Sequence, residues 1–197
     1  MLIGCVNVFN EEASLRRCLL SLRGGVDRLV VVDGAYRGFP HEKPFSTDGT
    51  CAIAAEFADE VIEADAAWTD EIVKRNQYLV GKSGDYYLVV DADEEFSGAM
   101  PPLVDDDYEI ELRRTDDIDP YPVYRVFKHR EGIKYKGTHH ALWVDGELLN
   151  HRPIKTLEGC HLKHYIGERD ERRKLDKGIY YERLKLAEMS ARRHYKL

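Results

Sequence analysis

The chain has 197 residues, 43% of them apolar and 33% charged, with a net charge of −7. That balance suits a folded chain and excludes a disordered one, and the length holds one ordinary domain whose core needs no disulfide or metal staple. No apolar run approaches the roughly 20 residues that span a bilayer. Residues 1–9 are apolar but lack a basic n-region and a small-residue cleavage site, so they read as a buried first strand rather than a signal peptide. Cys5, Cys18, Cys51 and Cys160 are scattered without a CxxC pair. They read as reduced, packed thiols, and the expected location is cytoplasmic.

Charge is divided along the chain. Residues 1–120 hold 11 Lys/Arg against 26 Asp/Glu, a balance of −15, whereas residues 121–197 hold 18 against 10, a balance of +8. An acidic first part suits a metal ion and a basic second part suits an anionic partner.

In chain order, Leu2–Phe9 is an apolar, β-rich run. Asn10 offers a helix N-cap with Glu11 and Glu12 in the first turn, and Leu15, Cys18, Leu19 and Leu22 repeat on one helical face. Gly24-Gly25 stops that helix. Leu29–Val32 is a second buried strand ending at Asp33-Gly34. Asp48 caps a helix carrying Cys51, Ala54, Ala55 and Ala58, and Glu60–Glu63 is a short strand. Thr69 opens a third helix, predicted to run through Ile72, Val73, Asn76, Leu79 and Val80. Tyr86–Val90 is a further apolar strand that enters Asp91-Ala92-Asp93-Glu94-Glu95. Beyond it, Tyr108–Arg114, Val123–His129 and Ala141–Val144 read as strands, and residues 169–195 as a charged helix. Strand–helix alternation predicts a mostly parallel sheet covered on both faces, an α/β fold. Ligands in such sheets sit outside the carboxyl ends of the strands, where Asn10, Asp33 and Asp91 to Asp93 converge. One domain is expected over 1–197, with a first lobe over 1–100 and a smaller mixed C-terminal lobe over 101–197.

Two carboxylates one residue apart at the end of a buried strand make a costly local charge unless a cation sits between them. Hard oxygen ligands suit Mg²⁺ or Mn²⁺, which complete their shells with water and substrate phosphates.

Four segments together resemble family 2 nucleotide-sugar glycosyltransferases of the GT-A fold over roughly residues 2–167. Val6-Asn7-Val8-Phe9-Asn10-Glu11-Glu12 is similar to the family's first strand and turn, which usually has Pro at the Asn7 position and Tyr at the Phe9 position. Val31-Val32-Asp33-Gly34, continued after an insertion of eleven residues by Ser46-Thr47-Asp48-Gly49-Thr50, is similar to its VDDGSTDGT signature. Lys74-Arg75-Asn76 resembles its ARN helix motif and Asp91-Ala92-Asp93-Glu94 its metal motif. The resemblance implies a GT-A-like (Rossmann-like) fold and transfer of a sugar from a nucleoside diphosphate, UDP on this reading, to an acceptor.

On that reading Asn7, Phe9, Asn10, Glu11, Asp33, Arg75, Asp91 and Ala92 bind the nucleotide sugar. Phe9 lies against the base, Asp33 accepts the imide N–H of uracil, and Arg75 meets the diphosphate or orients an aspartate. Asp91 and Asp93 hold Mn²⁺ or Mg²⁺, a Lewis acid for the departing diphosphate. Six of eight histidines fall between 129 and 164. Tyr135 to Leu142 resembles a Y-x-G-x-x-H-E-x-L segment with His140 in the Glu position, and His161-Leu162-Lys163-His164-Tyr165 resembles a segment returning a histidine to the metal. His164 is the expected third ligand, since positions 161 and 164 of a strand face opposite ways. A closed zinc module does not match this spacing. His140, Asp93 and Glu94 are the candidates for catalytic proton transfer in an inverting reaction, with Glu131 and His139 behind them. The alternatives are a sugar-phosphate nucleotidylyltransferase, against which the glycine-free Asn7–Glu12 turn argues, and a non-catalytic nucleotide-sugar-binding module. The basic second part (Lys128, Arg130, Lys134, Lys136 and the Arg169–Lys177 stretch) suits an anionic acceptor such as nucleic acid, lipid phosphate or acidic glycan.

Overall fold

The computed structural model describes residues 1–104, 107–137, 141–149, 154–167 and 171–194, with side chains of the last helix described over 175–186. The elements are β1 (Leu2–Val8), α1 (Glu12–Leu22), β2 (Arg28–Asp33), α2 (Thr50–Phe57), β3 (Glu60–Ile62), α3 (Glu71–Asn76), β4 (Tyr86–Asp91), β5 (Glu94–Gly98), β6 (Asp107–Arg114), β7 (Tyr121–Lys128), β8 (Lys134–Lys136), β9 (Ala141–Val144), β10 (Glu147–Leu148), β11 (Lys155–His164) and α4 (Glu171–His194).

Eight strands form one sheet in the order β3-β2-β1-β4-β7-β6-β11-β5, and β10-β9-β8 form a small second one. β1, β2, β3 and β4 pair in parallel, as the alternation predicts. The large sheet as a whole is mixed, which corrects the expected mostly parallel one: β7 runs antiparallel to β4 and β6, and β5 antiparallel to β11. The reason is local. After β5 the chain has no long helices to serve as crossovers, so successive strands return by turns, which is the antiparallel mode. The sheet also runs without a break through the expected lobe boundary near residue 100.

β1 is buried on both faces, as a strand at the centre of a covered sheet must be. Leu2, Val6 and Val8 pack with the α1 residues Leu15, Cys18, Leu19 and Leu22 on one side. Ile3 and Cys5 join Val30, Val32, Tyr87, Val89 and Phe127 on the other. β5 is not among the strands that the sequence pattern predicts. It is a strand because Phe96 packs into the α1-side core and Glu94 turns inward to accept a hydrogen bond from the Asp91 backbone N–H at 2.8 Å.

Two helix starts also differ from expectation. Glu11, not Asn10, is the N-cap of α1 and caps without its side chain. Asp70, not Thr69, caps α3 by accepting from the Val73 N–H, and α3 ends at Asn76, short of Val80. No described helix is long and apolar enough to cross a membrane.

Candidate functional site

A cavity of about 390 Å³ opens at the carboxyl edge of β1 and β4. β1 contributes Asn7 and Val8, with Phe9 just beyond; β4 contributes Val89 and Asp91, followed by Ala92. α3 supplies Glu71, Lys74 and Arg75, β7 supplies Tyr124 and Arg125, and β8 supplies Tyr135. Tyr36 and Phe39 come from the insertion after β2, Glu11 from the turn after β1, and Lys177 and Tyr181 from α4.

One wall is aromatic. The Phe9 and Phe39 rings meet edge to face at 6.1 Å, and Tyr36 meets Phe39 at 5.3 Å. Tyr180 of α4 packs on this group, 4.8 Å from Tyr36, and is 3% exposed. The insertion is held at its base by the Ala35 N–H donating to the Pro44 carbonyl, and by Trp68 bonds to Ala35 and Arg37. Gly34 permits the turn: its φ is +123°, and a Cβ there would lie 2.6 Å from the Ala64 Cβ and 2.9 Å from the Pro44 oxygen.

Another part of the lining is ionic. Arg125 Nη2 donates to Asp91 Oδ2 at 2.8 Å and to Glu94 Oε1 at 3.2 Å. Arg75 donates to Glu71 Oε1 at 3.1 Å and stands 3.5 Å from Asp91 Oδ1. Burial alone would raise the Asp91 carboxyl, but Arg125 and Arg75 more than offset it and hold the group well below the usual carboxylate range. Glu94 is moved the other way, to about 7: burial raises it, the Asp91 charge adds, and Arg125 opposes. Two neighbouring carboxylates are thus pushed apart, the cavity-facing one ionised and the inner one poised to hold a proton. The Lys74 ammonium is buried, donating to the Val8 carbonyl at 2.5 Å and the Gly34 carbonyl at 2.7 Å. It ties the carboxyl ends of β1 and β2 together.

Asn7 stands apart from these satisfied groups. Its side-chain Nδ2 and Oδ1 are both buried and have no hydrogen-bond partner among the described residues. A buried amide left so is costly, and this one lies at the cavity wall.

Of the sequence-predicted residues, Asn7, Phe9, Glu11, Arg75, Asp91 and Ala92 meet at the cavity. Asp33 and Asn10 do not line it. Asp33 is fully buried, with its carboxylate accepting the Ser46 N–H and Oγ–H. Asn10 accepts from the Thr47 N–H, and its own N–H donates to Ser46 Oγ. The Glu11 N–H donates to Thr50 Oγ1, and Glu12 Oε2 accepts from the Gly49 N–H. The Ser46–Thr50 segment is therefore stitched back onto the ends of β1 and β2, and this is what Asp33 and Asn10 hold in place. A uracil-reading Asp33 would have to give up its Ser46 bonds.

Asp93 and His164 meet each other, with Nε2 3.2 Å from Oδ2, but neither lines the cavity. Asp91 faces the arginines instead. Among the described residues no three His, Cys, Asp or Glu side chains gather as a set able to hold a metal ion. Asp91, Asp93 and His164 do not form such a set in this arrangement. Glu94 lies behind Asp91, and His140 and His139 fall outside the described residues. Of the basic stretch, Arg130 is engaged by both carboxylate oxygens of Asp107 at 2.8 Å, and Lys136 lies over the Trp143 ring.

Sequence reasoning missed Arg125, Glu71, Tyr181 and the Tyr36–Phe39 pair, and it assigned Lys177 to an acceptor rather than to this cavity. For Arg125 the signal was a cation in the interior of the Tyr121–Lys128 strand. For Tyr36 and Phe39 it was an aromatic insertion splitting a motif at a strand's carboxyl end.

Fold and cavity together define an α/β chain with a cleft, lined by aromatic rings and by charged groups, at the carboxyl edge of parallel strands. No known protein-family profile matches the chain. Among curated proteins, a TPR repeat-containing protein of Synechococcus elongatus is 31% identical over 156 residues, which are 74% of this chain and 36% of that protein. The chain spans just over a third of the length of the curated relative that it matches. Among solved structures, S. aureus TarS 1–349 is similar with a TM-score of 0.38 and 24% identity, over 49% of this chain and 28% of that one. The same fragment in complex with UDP-GlcNAc gives 0.39, over 49% and 27%.

Proposed function

We propose that the cavity binds a nucleoside-diphosphate sugar and that the chain transfers the sugar to an acceptor. The observation that carries this reading is that two kinds of group line one cavity at the strand edge: the flat rings of Phe9, Tyr36 and Phe39, and the guanidiniums of Arg75 and Arg125. A nucleoside diphosphate has the matching halves, a planar base for the rings and a charged diphosphate for planar, multi-donor guanidiniums. The unpartnered Asn7 amide offers one donor and one acceptor to hydroxyls of the ribose or the sugar. The cavity is of small-molecule size.

In transfer, the bond between the sugar and the diphosphate breaks and negative charge grows on the leaving phosphate. Arg75 and Arg125, fixed in place by Glu71 and Glu94, stabilise that charge without reorganising. Aromatic residues around the mouth exclude water that would otherwise hydrolyse the donor. UDP is the proposed nucleotide and inversion the proposed outcome. No step is routed through Mn²⁺ or Mg²⁺.

The test is calorimetric binding of UDP-, GDP- and TDP-sugars, followed by donor turnover in EDTA and in Mn²⁺. Turnover of one donor class supports the reading. Binding without turnover, with any acceptor supplied, would favour a non-catalytic binding module, and no binding in either condition would overturn the proposal.

A further inference from the structure

We infer that Asp91 is a built-in competitor for the cavity's anion, occupying Arg75 and Arg125 in the free protein and yielding them to an entering diphosphate. The inference rests on the nucleoside-diphosphate reading above and deepens it.

Each guanidinium has two kinds of carboxylate partner. Glu71 holds Arg75 and Glu94 holds Arg125, and Glu94 is only 1% exposed. Asp91 is shared by both arginines, at 2.8 Å from Arg125 and 3.5 Å from Arg75, and its side chain is 34% exposed at the cavity wall. Glu71 and Glu94 therefore each hold one guanidinium from a less exposed position, and Asp91, the most exposed of the three carboxylates, shares the same Nη2 atoms. The Asp91 backbone N–H is held by Glu94 at 2.8 Å. Displacement then needs only rotation of the Asp91 side chain, with its main chain kept in β4.

The consequence is selection by charge. A monoanion replacing Asp91 exchanges one negative charge for another and gains little. A diphosphate brings more charge and more acceptor oxygens, enough to engage both guanidiniums at once. Lys177 lines the same cavity and adds a further cation from α4.

The experiment titrates inorganic pyrophosphate, UDP and orthophosphate in EDTA into the native chain, Asp91→Asn and Arg125→Gln. Asp91→Asn is expected to bind pyrophosphate and UDP about tenfold or more tightly than the native chain. It should also gain orthophosphate binding, so that selectivity narrows. Arg125→Gln is expected to weaken all three. Because Asp91→Asn leaves two guanidiniums facing each other, a second measurement uses the native chain: the carboxylate ¹³C resonance of Asp91 should move as pyrophosphate saturates. Native binding of UDP with Asp91→Asn equal to it or weaker, or an unmoved Asp91 resonance at saturation, overturns the competitor role and leaves the donor reading standing. No binding of UDP or pyrophosphate by any of the proteins, in EDTA or Mn²⁺, overturns both.

Discussion

His164 and Asp93, 71 residues apart in sequence, meet with Nε2 3.2 Å from Oδ2. The meeting is set by register: β11 runs antiparallel to β5 with His164 opposite Glu94, which carries the imidazole over the turn that follows β4. The hydrogen bond to Asp93 is the main cause of a raised His164 pKa.

That shift has a sign. A histidine whose pKa is raised on folding stabilises fully below its unfolded value, about 6.5, and the contribution disappears as pH rises through the raised value. His164→Gln is expected to lose about 1.5–3 kcal/mol at pH 5.5–6, where the imidazole is charged. The gap from the native chain should close with increasing pH, and urea unfolding across pH 5.5–8.5 measures it. A gap that is constant with pH would mean that His164 acts by packing alone.

Glu94 gives a second pH effect by a different route. An unfolded glutamate ionises near pH 4.3, whereas burial holds the Glu94 proton to about 7. Folding therefore takes up a proton between these values, and stability falls as pH rises across that window. Glu94→Gln stays neutral and can still accept from the Asp91 N–H. It should be flat across the window and more stable than the native chain at pH 8. Parallel curves for the two proteins would show that Glu94 ionises normally.

Gly34→Ala is expected to destabilise by about 1–3 kcal/mol from backbone strain alone, with the overlap against Ala64 and Pro44 adding to it. Gly84→Ala is the control: it shares a positive φ of 90° but a Cβ there meets nothing within 4 Å. Chemical denaturation of both variants separates overlap from strain, and equal losses would show that the insertion moves aside freely.

Tyr180→Ala should release α4 from Tyr36 and Phe39. Amide hydrogen exchange in α4 is then expected to rise without change in β1 or β4. UDP binding should weaken as Lys177 and Tyr181 leave the wall. Unchanged exchange in α4 would assign its docking to other contacts.

What the sequence made legible follows from range. β1, β2 and β4 are continuous apolar runs because both faces are covered, and their carboxyl ends mark the site without further information. Asp33 was legible as a strand-end carboxylate, but its partner Ser46 lies across an insertion whose return path no local pattern encodes. Arg125 sits in a half-alternating strand, and which way it faces depends on pairing with β4, a register decided elsewhere in the chain. β5 escaped the pattern because nothing local to Glu94-Glu95 announces that Glu94 will turn inward onto a backbone N–H.

The placement of β5 bears on the order in which the molecule assembles. β5 follows β4 directly in the chain, yet among the described residues its strand partner is β11, which begins at Lys155. During synthesis β5 therefore emerges early and stays without a strand partner while β6 and β7 form. β4 and β7 pair directly, so Asp91 and Arg125 can meet before β11 exists. Closing the long loop from β5 to β11 is slow, so the Asp93–His164 contact and the inward seat of Glu94 are expected to be among the last features to become native. A ribosome-bound chain stalled before Lys155 would hold Asp91 beside Arg125 while the strand behind them still lacked its partner.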